Sequence, residues 1–288
     1  MPPAWERCAE GWPGLPPWLA ARIVAVAAMV ACIAFVVATQ WHDLHLYADG
    51  GMMSYAVAVQ DSWRFLWRNM SGRLLPYVFA YVPAEALIAL TGSPAAGVRL
   101  YAFLFSVAPA VGLALAWRLD RTPGRIVFHY GCLSTVLLCP LVFGFPTELW
   151  FTQAMLWPVV ALALNPPANL AGRAGMAVAV LALLETHESA AMLGLIAAVA
   201  AVLAGETITP DGRRVRARGA WIPFVPAYAV WAGFALLLPP DAYVAPVRAQ
   251  VARQLAHVGN LIANPVSQQV LAAASASMPR ISTSRPLR

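Results

Sequence analysis

The sequence predicts an all-α, polytopic transmembrane helical bundle. Of its 288 residues, 60% are hydrophobic and only 11% are charged, whereas an ordinary soluble domain carries about 25% charged residues. A soluble domain could not bury this much apolar surface. The apolar runs are continuous and about 18–25 residues long, as in membrane-spanning helices, whereas the strands of a β-barrel would alternate apolar and polar residues over about ten positions.

The basic residues indicate a membrane partner and no nucleic acid. The net charge is +6, and every basic residue is an arginine. The arginines are scattered over short polar segments, which fits anionic lipid head groups and the positive-inside rule but not a basic, aromatic-rich nucleic-acid surface. Abundant Ala, Pro, Arg and Gly without Lys is typical of a high-GC bacterial genome. We therefore expect a multi-pass protein of the bacterial inner membrane, with the lipid bilayer as its partner.

The chain divides into a head, a bundle and a tail. Residues 1–18 are rich in Pro and Trp and form an irregular head. The transmembrane bundle covers residues 19–240 and has about seven spans. These spans are predicted near residues 19–39, 74–91, 96–117, 126–145, 149–164, 175–204 and 220–238. Residues 241–288 turn polar and contain an amphipathic helix followed by a tail whose composition is typical of disorder.

A polar loop at residues 40–73 interrupts this apolar sequence. Its charged and imidazole side chains are His42, Asp43, His45, Asp49, Asp61, Arg64, Arg68 and Arg73. From Gly50 to Asn69, aromatic and small apolar residues are interleaved with charged ones, which predicts one or two amphipathic helices lying in the membrane interface. A membrane protein that keeps such a loop beside its first span usually uses it, so we expect recognition or chemistry here.

Arginine placement predicts the orientation, with one conflict. Four arginines at residues 213–218 place that loop on the cytoplasmic side. Counting back through seven single spans puts the N-terminus inside and the polar loop outside. The same count puts residues 118–125, which hold three arginines, outside and against the rule. An eighth crossing, made by breaking residues 175–204, would have halves of only about 14 residues, so we expect one span there.

Ionisable residues within the predicted spans form a second group of candidates, because each costs about 2.5–3.5 kcal/mol at a helix centre on insertion scales. Glu185 and Glu188 are three residues apart and share a helix face, while His187 points about 100° away from Glu188. The two carboxylates fit hydrogen bonds between helices, a substrate or metal site, or a proton path. Glu148, at the break between two spans, is either a carboxylate at a helix N-terminus or a second acidic group facing the same cavity as Asp49.

Several other chemistries lack their motifs. The chain contains no GxSxG, GxxxxGK[ST] or HExxH sequence, which argues against a serine hydrolase, a P-loop NTPase and a zinc protease. His42 and His45 are three apart but lie in a loop without HxxxH, so we predict no metal site there. The cysteines form no CxxC pair and are interpreted as small apolar residues; they are Cys8, Cys32, Cys132 and Cys139.

Four short motifs follow one another in a familiar order. They are Tyr47-Ala-Asp49-Gly-Gly after the first span, Arg73-Leu-Leu-Pro-Tyr77 at the second, Pro146-Thr-Glu148-Leu-Trp150 at a break, and His187-Glu188-Ser189 late in a span. Over roughly residues 19–204, this order resembles the multi-spanning C-type glycosyltransferases, which use lipid-linked sugars. It resembles more closely a group of bacterial integral membrane proteins without an assigned activity.

The resemblance implies glycosyl transfer from a polyprenyl-phosphate sugar at the outer membrane face. Asp49 would be the catalytic base that activates an acceptor hydroxyl, and an arginine of the first loop would neutralise the leaving phosphate. Glu148 or Glu188 would bind sugar hydroxyls or help to hold a divalent cation. The predicted substrate-binding residues are His45, Arg64, Arg68, Arg73, Glu148, Glu185, His187 and Glu188.

Two other functions remain open from the residues alone. One is a transporter or flippase for a small solute or lipid, which would use the acidic pair Glu185 and Glu188. The other is a non-enzymatic subunit of a membrane assembly, in which the polar residues would matter only for stability. The three functions differ in whether Asp49 is needed, which makes that carboxylate the first residue to test.

Overall fold

The computed structural model describes residues 16–63, 73–142, 147–187, 189–204, 206–208, 214–216, 219–237 and 253. The chain divides into two units, Met1–Pro239 and Pro240–Arg288. Of the second unit, only Arg253, a helical and exposed residue, is described. The predicted head up to residue 15 and the rest of the predicted tail lie outside the described residues.

The described part of the first unit is helical apart from one short hairpin, which confirms the helical class. The helices are α1 (Pro17–Trp41), α2 (Ala48–Ala58), α3 (Leu74–Thr91), α4 (Pro94–Leu119), α5 (Ile126–Val142), α6 (Leu149–Leu164), α7 (Leu170–Leu184), α8 (Ala190–Ala204) and α9 (Phe224–Leu237). Strands β1 (Glu206–Ile208) and β2 (Arg214–Arg216) pair antiparallel. Among the described helices, α1, α3 and α4 are long and apolar enough to cross a membrane, so the protein is a membrane protein.

The junction between α3 and α4 has clear local causes. Thr91 ends α3, and the next residue is Gly92, whose φ of +69° suits a residue without a β-carbon. Ser93 then caps α4, because its hydroxyl oxygen accepts a hydrogen bond from the Ala96 N–H at 3.3 Å. The two helices form a tight antiparallel pair in which the rings of Tyr81 and Tyr101 are 5.1 Å apart.

Contacts between helices fix the direction of α1 relative to α4. At one end, the Gln40 side-chain amide donates to the Arg99 carbonyl at 3.4 Å. At the other end, residues of the first turns of α1, among them Trp18, line the same cavity as Trp117 and Arg121. The two helices are therefore antiparallel. We call the first the polar-loop end, because the polar loop follows α1 there, and the second the arginine end.

The strict alternation of spans predicted from the sequence is wrong between α1 and α4. Because α3 and α4 are antiparallel and joined by a tight turn, α3 ends at the polar-loop end, where α1 also ends. Residues 118–125 consequently lie at the same end as the beginning of α1. A count in which α3 is a full return crossing between α1 and α4 would make those two helices parallel, which they are not.

Helix α6 runs parallel to α4 and begins beside the middle of that helix. Trp150, at its start, stacks on Phe35 of α1 with ring centroids 4.5 Å apart. Phe151 meets Phe105 of α4 edge to face at 4.8 Å. Two turns further along α4, Gly112 allows the backbone of α6 to approach closely. This α4–α6 contact is the most extensive helix pair in the described bundle.

The single span predicted over residues 175–204 is instead two helices, α7 and α8. The break falls where buried polar groups find partners on other helices. The Glu185 carbonyl accepts a hydrogen bond from the Leu75 N–H at 3.1 Å. The Thr186 hydroxyl lies 2.8 Å from that of Thr152 on α6. These partners satisfy backbone and side-chain groups outside the helical ladder, so the helix stops there.

Candidate functional site

Much of the described part of the polar loop is helical. A 3-10 turn at Leu44–Leu46 leads into α2, which places Asp49 in the first turn of that helix. Asp49 is exposed, and its carboxylate suits a helix N-terminus, where the dipole favours negative charge. The helix packs with its Met53 and Val57 face against α3 and α4, while Tyr55 remains exposed. A location in the membrane interface stays a prediction.

The two glycines after Asp49 have a structural role. A β-carbon on Gly50 would lie 2.9 Å from the His45 carbonyl oxygen, and one on Gly51 would lie 2.5 Å from that of Leu46. The Ser54 hydroxyl also donates to the His45 carbonyl, at 2.9 Å. The first turn of α2 therefore packs directly on the preceding 3-10 turn, and the Asp-Gly-Gly sequence permits that contact.

We expect the Gly51→Ala variant to be less stable than the native protein by about 1–3 kcal/mol, because the added β-carbon meets backbone, which cannot rotate away. The matched control is Gly175→Ala in α7, where a β-carbon would have no neighbour within 4 Å. Higher helix propensity should make that control neutral or slightly stabilising. Thermal unfolding in detergent, followed by size-exclusion chromatography, measures both. Equal stability of the two variants would contradict the close packing.

The structure places His45, a predicted substrate ligand, inside the protein. Its side chain is only 3% exposed, and its ring interacts with the backbone of Thr39 near the end of α1. Burial lowers the pKa of His45, and this effect outweighs the Asp43 carboxylate, which raises it. His45 is therefore neutral at neutral pH. Its surroundings favour a role in fixing the turn before Asp49, and a direct contact with substrate stays a prediction.

A buried ion pair joins the start of α3 to the start of α6. The Arg73 guanidinium donates to the Glu148 carboxylate at 2.5 Å, and the two side chains are 11% and 2% exposed. Glu148 was predicted to be either a carboxylate at a helix N-terminus or an acidic group facing the same cavity as Asp49. It lies immediately before α6, at the N-terminal end of that helix. Charge-assisted hydrogen bonds of this kind are stronger than those between neutral groups.

Further buried polar groups lie where the starts of α3 and α6 meet the α7–α8 break. Together with the ion pair they form what we call the buried polar cluster: Arg73, Glu148, Thr152, Glu185 and Thr186. The hydroxyls of Thr152 and Thr186 join α6 to the α7–α8 break. Glu185 is 4% exposed, and its Oε1 atom has no hydrogen-bond partner in the described part of the protein. A buried oxygen of this kind is available to a hydroxyl, an amine or a cation.

Two buried tyrosines connect α2 to the helices behind it. Tyr81 and Tyr101 are fully buried, and the Tyr101 hydroxyl donates to the Met53 sulfur of α2 at 3.6 Å. The ring of Tyr81 on α3 lies 5.1 Å from that of Tyr101 on α4. The helix that carries Asp49 is thereby packed against the two helices α3 and α4, and Arg73 directly precedes α3.

A small cavity lies beside the polar cluster. Its volume is about 210 Å³, and it is lined by Leu138, Leu149, Trp150, Thr152, Gln153, Ser189 and Leu193. Thr152 belongs to both the cavity wall and the cluster. The space is mostly apolar, so it suits part of a hydrocarbon or ring more than a highly charged group.

The structure brings together some of the predicted site residues. Arg73, Glu148 and Glu185 share the polar cluster, and Asp49 is exposed in the first turn of α2, outside that cluster. His187 is partly buried beside Ser189, with 2.9 Å between its Nδ1 and the serine hydroxyl. The remaining predicted residues lie outside the described part; they are Arg64, Arg68 and Glu188.

Four residues of the site were not predicted, namely Thr152, Thr186, Tyr81 and Tyr101. The only sequence signal for the threonines is a hydroxyl in an otherwise apolar run, and tyrosines are too common in membrane helices to stand out. Among the described residues, no three His, Cys, Asp or Glu side chains are grouped so that they could hold a metal ion. No family model matches this chain, and neither a curated protein nor a solved structure matches it.

Proposed function

We propose that this protein is a membrane glycosyltransferase-like enzyme that uses a polyprenyl-phosphate sugar donor at the outer face of the bacterial inner membrane. The observation that supports it best is the placement of Asp49. This exposed carboxylate lies in the first turn of the helix after the first span, and that helix packs against α3, which Arg73 of the buried ion pair directly precedes. A general base and a cation are the two groups that transfer from a lipid-linked sugar requires.

In the proposed reaction, Asp49 accepts the proton of an acceptor hydroxyl. The acceptor oxygen attacks the anomeric carbon of the sugar as the bond from that carbon to the phosphate oxygen breaks. Polyprenyl phosphate leaves with the electron pair. Glu148 holds the Arg73 guanidinium in position, so that its positive charge favours the charge developing on the phosphate. Glu185, with one unpartnered oxygen, would bind a sugar hydroxyl.

We also propose that the arginine end faces the cytoplasm. It collects Arg22, Arg121 and Arg125 around one cavity, in agreement with the positive-inside rule. Helix α1 would then cross from the cytoplasmic to the outer face and α4 would cross back, with α2 and the end of α3 toward the outer side. This arrangement puts Asp49 at the outer face, where lipid-linked sugar donors are used.

Replacing Asp49 with asparagine tests the proposal. The amide keeps the size of the side chain but cannot accept the proton, so sugar transfer should fall at least about a hundredfold, the range typical of a lost general base. The assay is release of labelled sugar from polyprenyl-phosphate donors in proteoliposomes. The matched control is Asp61→Asn, an exposed carboxylate of the same loop, just after α2; it should retain full activity.

The same proteoliposomes separate the alternative functions. Undiminished sugar release by the Asp49→Asn variant would end the enzyme assignment. A transporter or flippase would instead move its solute or lipid without sugar release, and that movement would depend on the buried Glu185 and not on Asp49. A non-enzymatic assembly subunit would show neither activity, and both variants would then differ from the native protein only in stability.

A further inference from the structure

A second site lies at the arginine end, far along the bundle from Asp49. There, a cavity of about 1090 Å³ is formed between the first turns of α1, the end of α4 and the beginning of α5. Pockets for small molecules measure about 300–1,000 Å³, so this one can accept a large ligand. None of the residues predicted to carry the proposed reaction lines it.

Part of the cavity lining is apolar, and it is close in sequence to exposed apolar surface of the same helices. Ala21, Val24 and Ala25 of α1 line the cavity together with Leu133 of α5. Beyond them, the outer faces of the same two helices carry exposed apolar side chains; these are Val26, Met29, Val30 and Ile33 on α1 and Leu137 on α5. A hydrocarbon chain that enters the cavity can therefore continue along the protein surface without meeting a polar group.

The cavity lining also includes three cationic side chains. They are Arg22, Arg121 and Arg125, and none of them forms an ion pair with a carboxylate among the described residues. Arg125 is held in place because its guanidinium lies 3.5 Å from the centre of the Trp117 ring and donates to the Trp117 carbonyl at 2.9 Å. Arg22 lies over the Trp18 ring at 5.1 Å.

The acidic residue of the lining does not neutralise the arginines. Asp120 is 4% exposed, and its carboxylate accepts hydrogen bonds from the N–H groups of Thr122 and Phe128 and from the Thr122 hydroxyl. These hydrogen bonds stabilise the turn between α4 and α5. The cavity is left with an excess of positive charge at its rim and an apolar floor.

We infer that this cavity binds one anionic phospholipid, with its phosphate beside Arg22, Arg121 and Arg125 and an acyl chain along the α1–α5 groove. Basic pockets between helices on the cytoplasmic side are suited to acidic lipid head groups. The flanking Trp18 and Trp117 have the amphipathic rings that prefer the level of the head groups. A soluble phosphate compound would leave the apolar floor and the groove uncovered, which favours a lipid.

Native mass spectrometry of the full chain in mild detergent tests this inference, with phosphatidylglycerol and phosphatidylcholine supplied at equal concentration. We expect one phosphatidylglycerol to be retained in preference to phosphatidylcholine. The double variant Arg22→Gln/Arg121→Gln should lose at least about tenfold in affinity for phosphatidylglycerol, because each arginine near an anionic lipid surface contributes to binding. Arg125 is left unchanged because of its contacts with Trp117.

The matched control is Arg99→Gln/Arg118→Gln, which removes the same charge. Arg99 lies at the polar-loop end, and Arg118 is an exposed residue of α4 that does not line the cavity. Retention within twofold of the native protein is expected for this control. Equal loss in both double variants, or equal retention of the two lipids, would overturn the site. So would lipid retention that arises only when residues 2–15 are deleted, since that segment would then be the occupant.

Discussion

Replacing Arg73 with methionine is expected to destabilise the bundle by about 3–5 kcal/mol, because the change leaves the Glu148 carboxylate buried without its cation. Glu148 is 2% exposed and accepts from Arg73 at 2.5 Å. A buried carboxylate without that partner must be protonated or draw in water, and both cost free energy. Thermal unfolding in detergent should show a large fall in the midpoint temperature.

Two further variants distinguish the ion pair from a general effect of losing an arginine. Arg99→Met removes an exposed arginine of α4 and should change stability by less than about 0.5 kcal/mol. The double variant Arg73→Met/Glu148→Gln should recover part of the loss, because the amide no longer carries a buried charge. If the double variant were no more stable than Arg73→Met alone, the loss would not arise from an unpaired charge on Glu148.

The second large effect is expected at Gly112, where α4 and α6 are in closest contact. A β-carbon at this position would lie too close to the backbone of Ala154, so the two helices would have to move apart. Gly112→Ala should therefore destabilise the protein by about 1–3 kcal/mol, although alanine is the better helix former. Yield of folded protein and the thermal midpoint are the measurements.

Gly233 of α9 provides the matched control for this prediction. A β-carbon there would have no neighbour within 4 Å, so Gly233→Ala should be neutral or stabilising by up to about 1 kcal/mol. The two substitutions are chemically identical, and they are expected to have opposite signs. A Gly112→Ala variant as stable as the Gly233→Ala one would mean that α4 and α6 do not pack in this way.

The positions of the apolar helices could be predicted because composition and run length determine them. The first span, predicted at residues 19–39, is the helix Pro17–Trp41. The break predicted before Glu148 is where α6 begins. In both cases the signal is local, because a run of apolar residues ends at polar ones or at proline.

The break between α7 and α8 and the direction of α3 could not be predicted because they depend on distant partners. Helix α7 ends before Glu185 and Thr186. The Glu185 carbonyl accepts a hydrogen bond from the Leu75 N–H, and the Thr186 hydroxyl is hydrogen-bonded to that of Thr152. The sequence shows a polar interruption but not which neighbours satisfy it. The candidate site has the same character, since the two buried tyrosines that pack behind α2 come from two other helices and carry no local motif.

The hydrogen bond between the Leu75 N–H and the Glu185 carbonyl joins the early and late parts of the chain through main-chain atoms alone. Almost any side chain at either position therefore leaves both hydrogen-bonding groups in place. Distant descendants of this sequence can replace both residues and still keep the two segments attached. Leu75→Pro is the exception, because proline has no N–H to donate.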